Sequence, residues 1–325
     1  MEVSVIIPYL NDKEILSRVL PRLLEEVPDK HGEVIIIDNG SFEPLKLPED
    51  PRVTVINNGR NIGVGGAFNQ GVEMAKANKV VLMGCDTTPQ EGWFDRVQET
   101  LKANRNAIFN CVSSGYSGDQ VPLRKSSRRK FGAELLLKVT MDDLPANSPL
   151  RSIPTYSHIL QAKWNKGMPD NEFTHVQCLL GAFYWMYKKP YQNIHGWNGH
   201  QMWGSLEPFL SIKARAHGMK LIVDKNLEAA HYYGRSVGRP YRPDLQFYNM
   251  LFIAHTMFSD DLRDELIEYL RYGDKDEEVE KLNVNRAMLM IRRNAGLVKA
   301  ERDYNNRHFK RGLISNWEKF QEEMI

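Results

Sequence analysis

Four short apolar runs punctuate the first part of the chain: Val3-Ser4-Val5-Ile6-Ile7, Val34-Ile35-Ile36-Ile37, Val53-Thr54-Val55-Ile56 and Val80-Val81-Leu82-Met83. Continuous runs of this length bounded by turn residues read as buried strands. Between the first two lies a helical pattern, with Ile15, Leu16, Val19, Leu20, Leu23 and Leu24 on one face. A second, small-residue helix opens at Asn61-Ile62-Gly63-Val64-Gly65-Gly66-Ala67 and runs to about Lys76. Strands alternating with helices predict an α/β chain with a doubly wound, mostly parallel sheet. Right-handed crossovers would then set all the strand ends along one edge.

Beyond residue 112 the pattern changes. Residues 113–172 are polar, carry Pro122, Pro145, Pro149, Pro154 and Pro169, and show weak periodicity. They read as a long excursion over the active face, with one short helix near 132–138. An apolar and aromatic stretch from Phe173 to Tyr187 is consistent with strands. Residues 205–217 read as a helix, and Leu221-Ile222-Val223 as a strand running towards His231. From about residue 244 the pattern is helical and charged. The expected organisation is one domain over 1–240, with a first half at 1–112, the loop region at 113–172 and a second half at 173–240. A helical C-terminal extension over 241–325 follows.

The predicted edge collects candidate chemistry. The fourth strand ends on Gly84-Cys85-Asp86-Thr87-Thr88-Pro89, and ligands bind at the carboxyl ends of strands in open α/β sheets. Asp86 there suits a divalent cation held against a phosphate; a turn-capping Asp is the other reading. Asp38 ends the second strand, where it either accepts hydrogen bonds from a base or ribose or closes an Asx-turn with Asn39-Gly40-Ser41. The Gly-rich segment 61–66 is neither a Walker loop nor a dinucleotide fingerprint, since no Gly-Lys-Ser/Thr and no GxGxxG is present. It either lets backbone approach a ligand or makes a tight strand-to-helix turn.

Together, Val5-Ile6-Ile7-Pro8-Tyr9-Leu10-Asn11, Val34-Ile35-Ile36-Ile37-Asp38-Asn39-Gly40-Ser41, Asn58-Gly59-Arg60-Asn61-Ile62-Gly63 and Leu82-Met83-Gly84-Cys85-Asp86-Thr87-Thr88-Pro89-Gln90-Glu91-Gly92-Trp93 resemble the nucleotide-binding half of family 2 glycosyltransferases with the GT-A fold. The resemblance implies that Pro8, Tyr9, Asn11, Asp38, Asn61, Gly63, Gly66 and Asp86 surround a nucleotide-sugar, UDP-sugar favoured. It also implies that the last block is a DxD-type site for Mn²⁺ or Mg²⁺. Gly84 stands where the first acid of that motif stands, so the metal needs another ligand. His231 is the candidate, because Mn²⁺ accepts imidazole as well as carboxylate.

The resemblance continues through Cys178-Leu179-Leu180-Gly181-Ala182-Phe183, Ile194-His195-Gly196-Trp197-Asn198 and Trp203-Gly204-Ser205-Leu206-Glu207. It places Glu207 as the catalytic base, with Gly181, Trp197 and Trp203 on the acceptor side. The Trp203-Gly204 pair and His231 are also similar to polypeptide N-acetylgalactosaminyltransferases. Glu207 at a helix start is expected to stay ionised through the dipole; a capping acid is the other reading. Arg235, with Arg239 and Arg242, follows His231 closely enough for a closing loop to meet a diphosphate.

Composition changes the picture little. Hydrophobic residues make up 42% and charged residues 26% of the 325, with net charge +2, so no global field draws nucleic acid or membrane. Attraction must be local: Arg124-Lys125-Ser126-Ser127-Arg128-Arg129-Lys130 packs five cations into seven residues. That run suits a phosphate-rich acceptor such as a modified base in DNA, with a glycan, a lipid-linked or a protein acceptor as the alternatives. Cys85, Cys111 and Cys178 form no CxxC pair or disulfide framework. With no leader or membrane-length apolar run in the sequence, a cytoplasmic hexosyl- or pentosyltransferase is expected. The rivals are a non-catalytic sugar-nucleotide or nucleic-acid binding module, and a nucleotidyltransferase. The latter is disfavoured because Pro8-Tyr9-Leu10-Asn11 replaces the Gly-rich basic loop such enzymes carry after the first strand.

Overall fold

The computed structural model describes residues 1–116, 129–139, 159–181, 183–232, 242–272 and 278–322. Arg124 to Arg128, Arg235 and Arg239 lie outside the described residues.

The first half alternates as its pattern predicts. Strand β1 (Val3–Tyr9) leads to helix α1 (Lys13–Glu26), then β2 (Gly32–Asp38), β3 (Val53–Asn57), α2 (Val64–Met74) and β4 (Lys79–Met83). All seven residues of β2 are buried, as a strand covered on both faces requires. Helix α1 buries Leu16, Val19, Leu20 and Leu23, one stripe at helical spacing. Helix α2 comes so close to β1 that a Cβ on Gly71 would sit 2.2 Å from Ile6 Cγ2.

After β4 come β5 (Thr87–Pro89), α3 (Trp93–Ala103), β6 (Ala107–Tyr116), β7 (Lys130–Lys138), β8 (Ile159–Lys166), β9 (Phe173–His175) and β10 (Phe183–Tyr187). Helix α4 (Lys188–Asn193), α5 (Leu206–Ala216) and β11 (Lys220–Tyr232) complete the sheet region. The sheet order is β3-β2-β1-β4-β10-β6-β11-β5. Strands β3, β2, β1 and β4 are parallel, β10 runs antiparallel to both β4 and β6, and β11 is parallel to β6. The carboxyl ends of β1, β2, β4, β6 and β11 therefore share one edge, as the crossover argument required. The register sets Tyr9 beside Asp38 and Asp38 beside Asn57 along that edge.

The helix expected near 132–138 is a strand. Ala133 and Leu135 are buried while Glu134 is exposed, and β7 pairs antiparallel with β8. The run Leu135-Leu136-Leu137 hides this two-residue alternation from a sequence reading. Within the expected 113–172 excursion, the described residues thus include two paired strands and the end of β6.

The C-terminal region is helical: α6 (Pro243–Met257), α7 (Asp260–Tyr272), α8 (Glu278–Arg293), α9 (Ala295–His308) and α10 (Trp317–Glu322). It packs as part of the same core rather than beside it. Phe209 of α5 stacks on Phe252 of α6 at 6.0 Å, and both belong to one buried cluster with Tyr184, Trp197 and Val298. Lys213 of α5, nearly fully buried, meets Glu301 of α9 at 2.9 Å. Asn198 Nδ2 donates to the same carboxylate at 2.7 Å, and His195 Nδ1 lies 2.8 Å from it. A buried lysine stays charged only with such a partner, so α9 is tied to both α5 and the 194–198 loop.

Candidate active site

A cavity of about 380 Å³ opens at the shared strand edge. Its lining joins residues far apart in sequence, among them Pro8, Asp12, Asp86, Gly181, Glu207 and His231. Strand β5 explains how two of them meet. It turns back immediately after Asp86 and pairs antiparallel with the end of β11, setting Thr87 opposite His231. The Tyr232 N–H then donates to the Asp86 carbonyl at 2.9 Å. His231 Nε2 lies 3.4 Å from Asp86 Oδ1, and both side chains are partly buried.

Glu207 stands in the first turn of α5 and faces the cavity. Burial raises its carboxyl above the usual value, opposed by its own backbone N–H and that of Gly181, both of which the carboxylate accepts. Burial therefore works against the stabilisation expected from the helix end. Gly181 is required here. A Cβ on it would lie 2.7 Å from Glu207 Oε1 and 3.2 Å from the Tyr184 hydroxyl. Tyr184 is itself pushed well above its ordinary value by burial and by the Glu207 charge.

The other expected residues divide into lining and scaffolding. Pro8 and Trp203 line the cavity, and Trp203 is 55% exposed at its mouth. Trp197 lines it too, but its ring is committed. It is 1% exposed, stacks on Phe68 at 5.2 Å, and donates Nε1–H to the Leu206 carbonyl at 2.9 Å. Packing of the cavity wall, not stacking of an acceptor, is its part.

Asp38, Asn11, Asn61, Tyr9, Gly63 and Gly66 are not among the lining residues. Asp38 is fully buried, and its two oxygens accept the N–H groups of Ser41 and Leu45 at 3.0 and 2.9 Å. Asn11 accepts the Phe42 N–H at 2.9 Å, and its own N–H donates to Ser41 Oγ. Asn61 Oδ1 accepts both Asn39 Nδ2 and the Gly63 N–H. Buried Tyr9 is pushed up to about 12, mainly by burial and then by the Asp38 charge. These polar residues satisfy one another and shape the loops behind the cavity. Gly63, at φ 82°, faces the backbone of Met202, 2.6 Å from where a Cβ would sit, and Gly66 faces Ile62. The glycine-rich turn thus admits the protein's own 202 loop.

Several lining residues were not singled out for this cavity in the sequence: Asp12, Trp164 and Tyr184, while Lys130 was noted only within the basic run. Lys130 and Trp164 come from β7 and β8, the stretch that reads as loop. Of the basic run, Arg129 is engaged by Glu228 at 3.0 Å and Lys130 faces the cavity.

The chain matches the model of "Glycosyl transferase family 2" over residues 4–192, more than half its length. It belongs to that family. No curated protein matches it. Among solved structures, this family 2 chain is similar to GalNAc-T7 with UDP, GalNAc and Mn²⁺, with a TM-score of 0.64 at 15% identity over 92% of this chain and 58% of that one. It spans less than two thirds of the GalNAc-T7 chain. It is also similar to residues 1–349 of S. aureus TarS in complex with UDP-GlcNAc, with a TM-score of 0.52 at 15% identity over 100% of this chain and 93% of that one. At these identities the likeness is one of fold, and the mixed sheet with its parallel core is GT-A-like. No helix among the described residues is long and apolar enough to cross a membrane.

The described residues hold no group of three or more His, Cys, Asp or Glu side chains arranged for a metal. What they hold is one carboxylate and one imidazole 3.4 Å apart in the cavity wall. That donor set fits a divalent cation that takes its remaining ligands from substrate phosphates and water.

Proposed function

We propose that this chain transfers a sugar from a nucleotide-diphosphate sugar, UDP-sugar favoured, to an acceptor hydroxyl, with Asp86 and His231 holding Mn²⁺ or Mg²⁺. The observation that carries the reading is the convergence of this pair with the Glu207 carboxylate on one cavity. The bound cation would neutralise charge on the departing diphosphate. Lys130, in the same wall, adds a positive charge for the same phosphates. Glu207 takes the proton of the acceptor hydroxyl as its oxygen attacks the anomeric carbon. Its raised pKa suits a group that must gain a proton near neutral pH. The nucleotide base rests on the loops that Asp38, Asn11 and Asn61 hold in shape. Arg235 is proposed as a diphosphate contact on the residue order alone.

A glycan is the favoured acceptor. Trp203 and Trp164 both line the cavity, and indole faces suit the apolar faces of sugar rings. A DNA acceptor would depend on Arg124 to Arg128, outside the described residues. A cytoplasmic site of action follows the cysteine reading, and all three cysteines are buried thiols outside any disulfide among the described residues.

A thermal-shift screen of sugar nucleotides with and without Mn²⁺ tests the donor, because a ligand at a hundred times its Kd adds about 2.7 kcal/mol to stability. Product analysis with glycan and DNA acceptors tests the transfer. A metal-dependent shift followed by a glycosylated product supports the reading. Binding without turnover on any acceptor would leave a binding module, and no sugar-nucleotide binding would overturn the site.

A further inference from the structure

A cavity larger than the donor cavity lies elsewhere among the described residues. It has a volume of about 630 Å³ and lies between the C-terminal end of α5, the start of β11, the 309–316 loop and α10. Lys220 and Leu221 line it, while His231 and Tyr232 at the other end of β11 line the donor cavity. At about 3.3 Å per strand residue the two are roughly 30 Å apart.

Its lining is one-sided in charge. Arg215, Lys220, Lys310, Arg311 and Lys319 surround it together with His175, and among the described residues no carboxylate lines it. Lys220, Lys310 and Lys319 form no ion pair among the described residues. Three lysines facing one space with no ion pair among the described residues repel one another, which destabilises the fold unless an anion joins them. The dipole at the C-terminal end of α5 offsets only about half a charge.

Arg215 adds a sharper sign. It is 2% exposed. Its Nη2 donates to the Phe320 and Gln321 carbonyls at 2.9 and 3.3 Å, and its guanidinium lies 4.5 Å from the Phe320 ring centre. Its Nε–H has no partner among the described residues. Burial lowers its pKa to about 10. A buried guanidinium donor left unmatched is costly, and a bound oxyanion would satisfy it. The rest of the wall mixes apolar Val176, Leu221 and Leu313 with neutral polar Ser315 and Asn316. The lysine arrangement is also built in. Lys310 lies across Gly218, where a Cβ would sit 1.9 Å from its Cε, and the Lys310 N–H donates to the Ala216 carbonyl.

We propose that this cavity is a second ligand site, separate from the donor cavity, and that it takes a multiply charged phosphate compound whose oxyanions meet Arg215 and the surrounding lysines. Phosphate fits better than a lone carboxylate, because several charges must be delivered into one small space and the guanidinium fork matches phosphate geometry. The proposal stands independently of the transfer reaction.

The test uses the full chain and inorganic tripolyphosphate in metal-free buffer, with excess UDP present to occupy the donor cavity. Calorimetric titration should show binding that weakens as salt is raised. Hydrogen exchange should slow at 309–320 while 84–87 stays unchanged. Lys310→Glu with Lys319→Glu, both exposed, should weaken tripolyphosphate binding by about tenfold or more through lost charge-assisted contacts, with UDP binding intact. Citrate should bind more weakly than tripolyphosphate. Citrate binding equally well would overturn the phosphate assignment. Absent binding, protection confined to 84–87, or an unaffected double variant would overturn the site itself.

Discussion

Asp86 Oδ1 and His231 Nε2 lie 3.4 Å apart although 145 residues separate them in the chain. The three-residue strand β5 makes the contact, folding Thr87 against His231 in the step directly after the acid. Gly84 supplies no side chain to this site, and the histidine supplies a donor that the local sequence lacks.

The pair should therefore act as a unit towards a cation. Asp86→Ala and His231→Ala are each expected to lower Mn²⁺ affinity by about 10–100-fold or more, and turnover with it, leaving the melting temperature without metal near that of the parent. Titration of Mn²⁺ by electron paramagnetic resonance measures this. Unchanged Mn²⁺ affinity in both variants would sink the metal assignment.

Glu207→Gln should reduce transfer by about 10²–10⁴-fold, the range of general-base contributions. Stability should move the other way. The native carboxyl has a raised pKa, so between the usual glutamate value and that raised value the native state binds more protons than the unfolded one. Stability from this group is present at low pH and is lost as pH rises through the window. Denaturant unfolding at neutral pH should show Glu207→Gln as stable as the parent or more so. A variant both active and destabilised contradicts the role.

Trp203→Ala and Trp164→Ala should raise acceptor KM several-fold, as loss of about 0.5–1.5 kcal/mol of ring contact predicts. Sugar-nucleotide Kd should stay unchanged. Trp197→Ala should behave differently, destabilising the protein by about 3–5 kcal/mol because it empties a packed site. Kinetics and urea unfolding on the three variants separate the roles.

Glu301→Ala would leave Lys213 buried without its partner, a loss of about 3–5 kcal/mol. Because the same carboxylate holds Asn198 and His195, this change in the C-terminal region should also loosen the 194–198 loop. Hydrogen exchange across residues 194–205, compared with the parent, checks that coupling.

Acidification should destabilise the fold through buried histidines. Burial lowers the pKa of His200, His217 and His255 to about 4 from an ordinary 6.5. Between those values the unfolded chain binds more protons than the native one, so stability falls as pH drops from about 6.5 towards 4. Melting temperatures across that range should decline, and His200→Gln should flatten part of the slope.

The strand ends at Tyr9, Asp38, Asn57 and Met83 were legible because parallel strands buried on both faces leave continuous apolar runs with abrupt polar stops. Helices α1, α2 and α5 showed through periodicity and turn residues. Strands β7 and β8 did not, since consecutive leucines blur the alternation in one and polar residues dominate the other. Trp164 was lost to view with them, and Lys130 stood out only as one charge of a basic run. The sequence could say that Asp38, Asn11 and Asn61 stand at the edge. It could not say that their hydrogen bonds would be spent on neighbouring loops.

By itself, then, the order of apolar runs and turn residues determined the α/β class, the shared strand edge and Asp86 upon it, while Glu207 was singled out by the family resemblance. Only the tertiary structure decided which distant residues join them. Local propensity carries no information about the β5–β11 pairing that brings His231 to Asp86. Nor does it report the desolvation that raises Glu207 or the docking of the C-terminal helices on α5, because each depends on contacts between segments far apart in the chain.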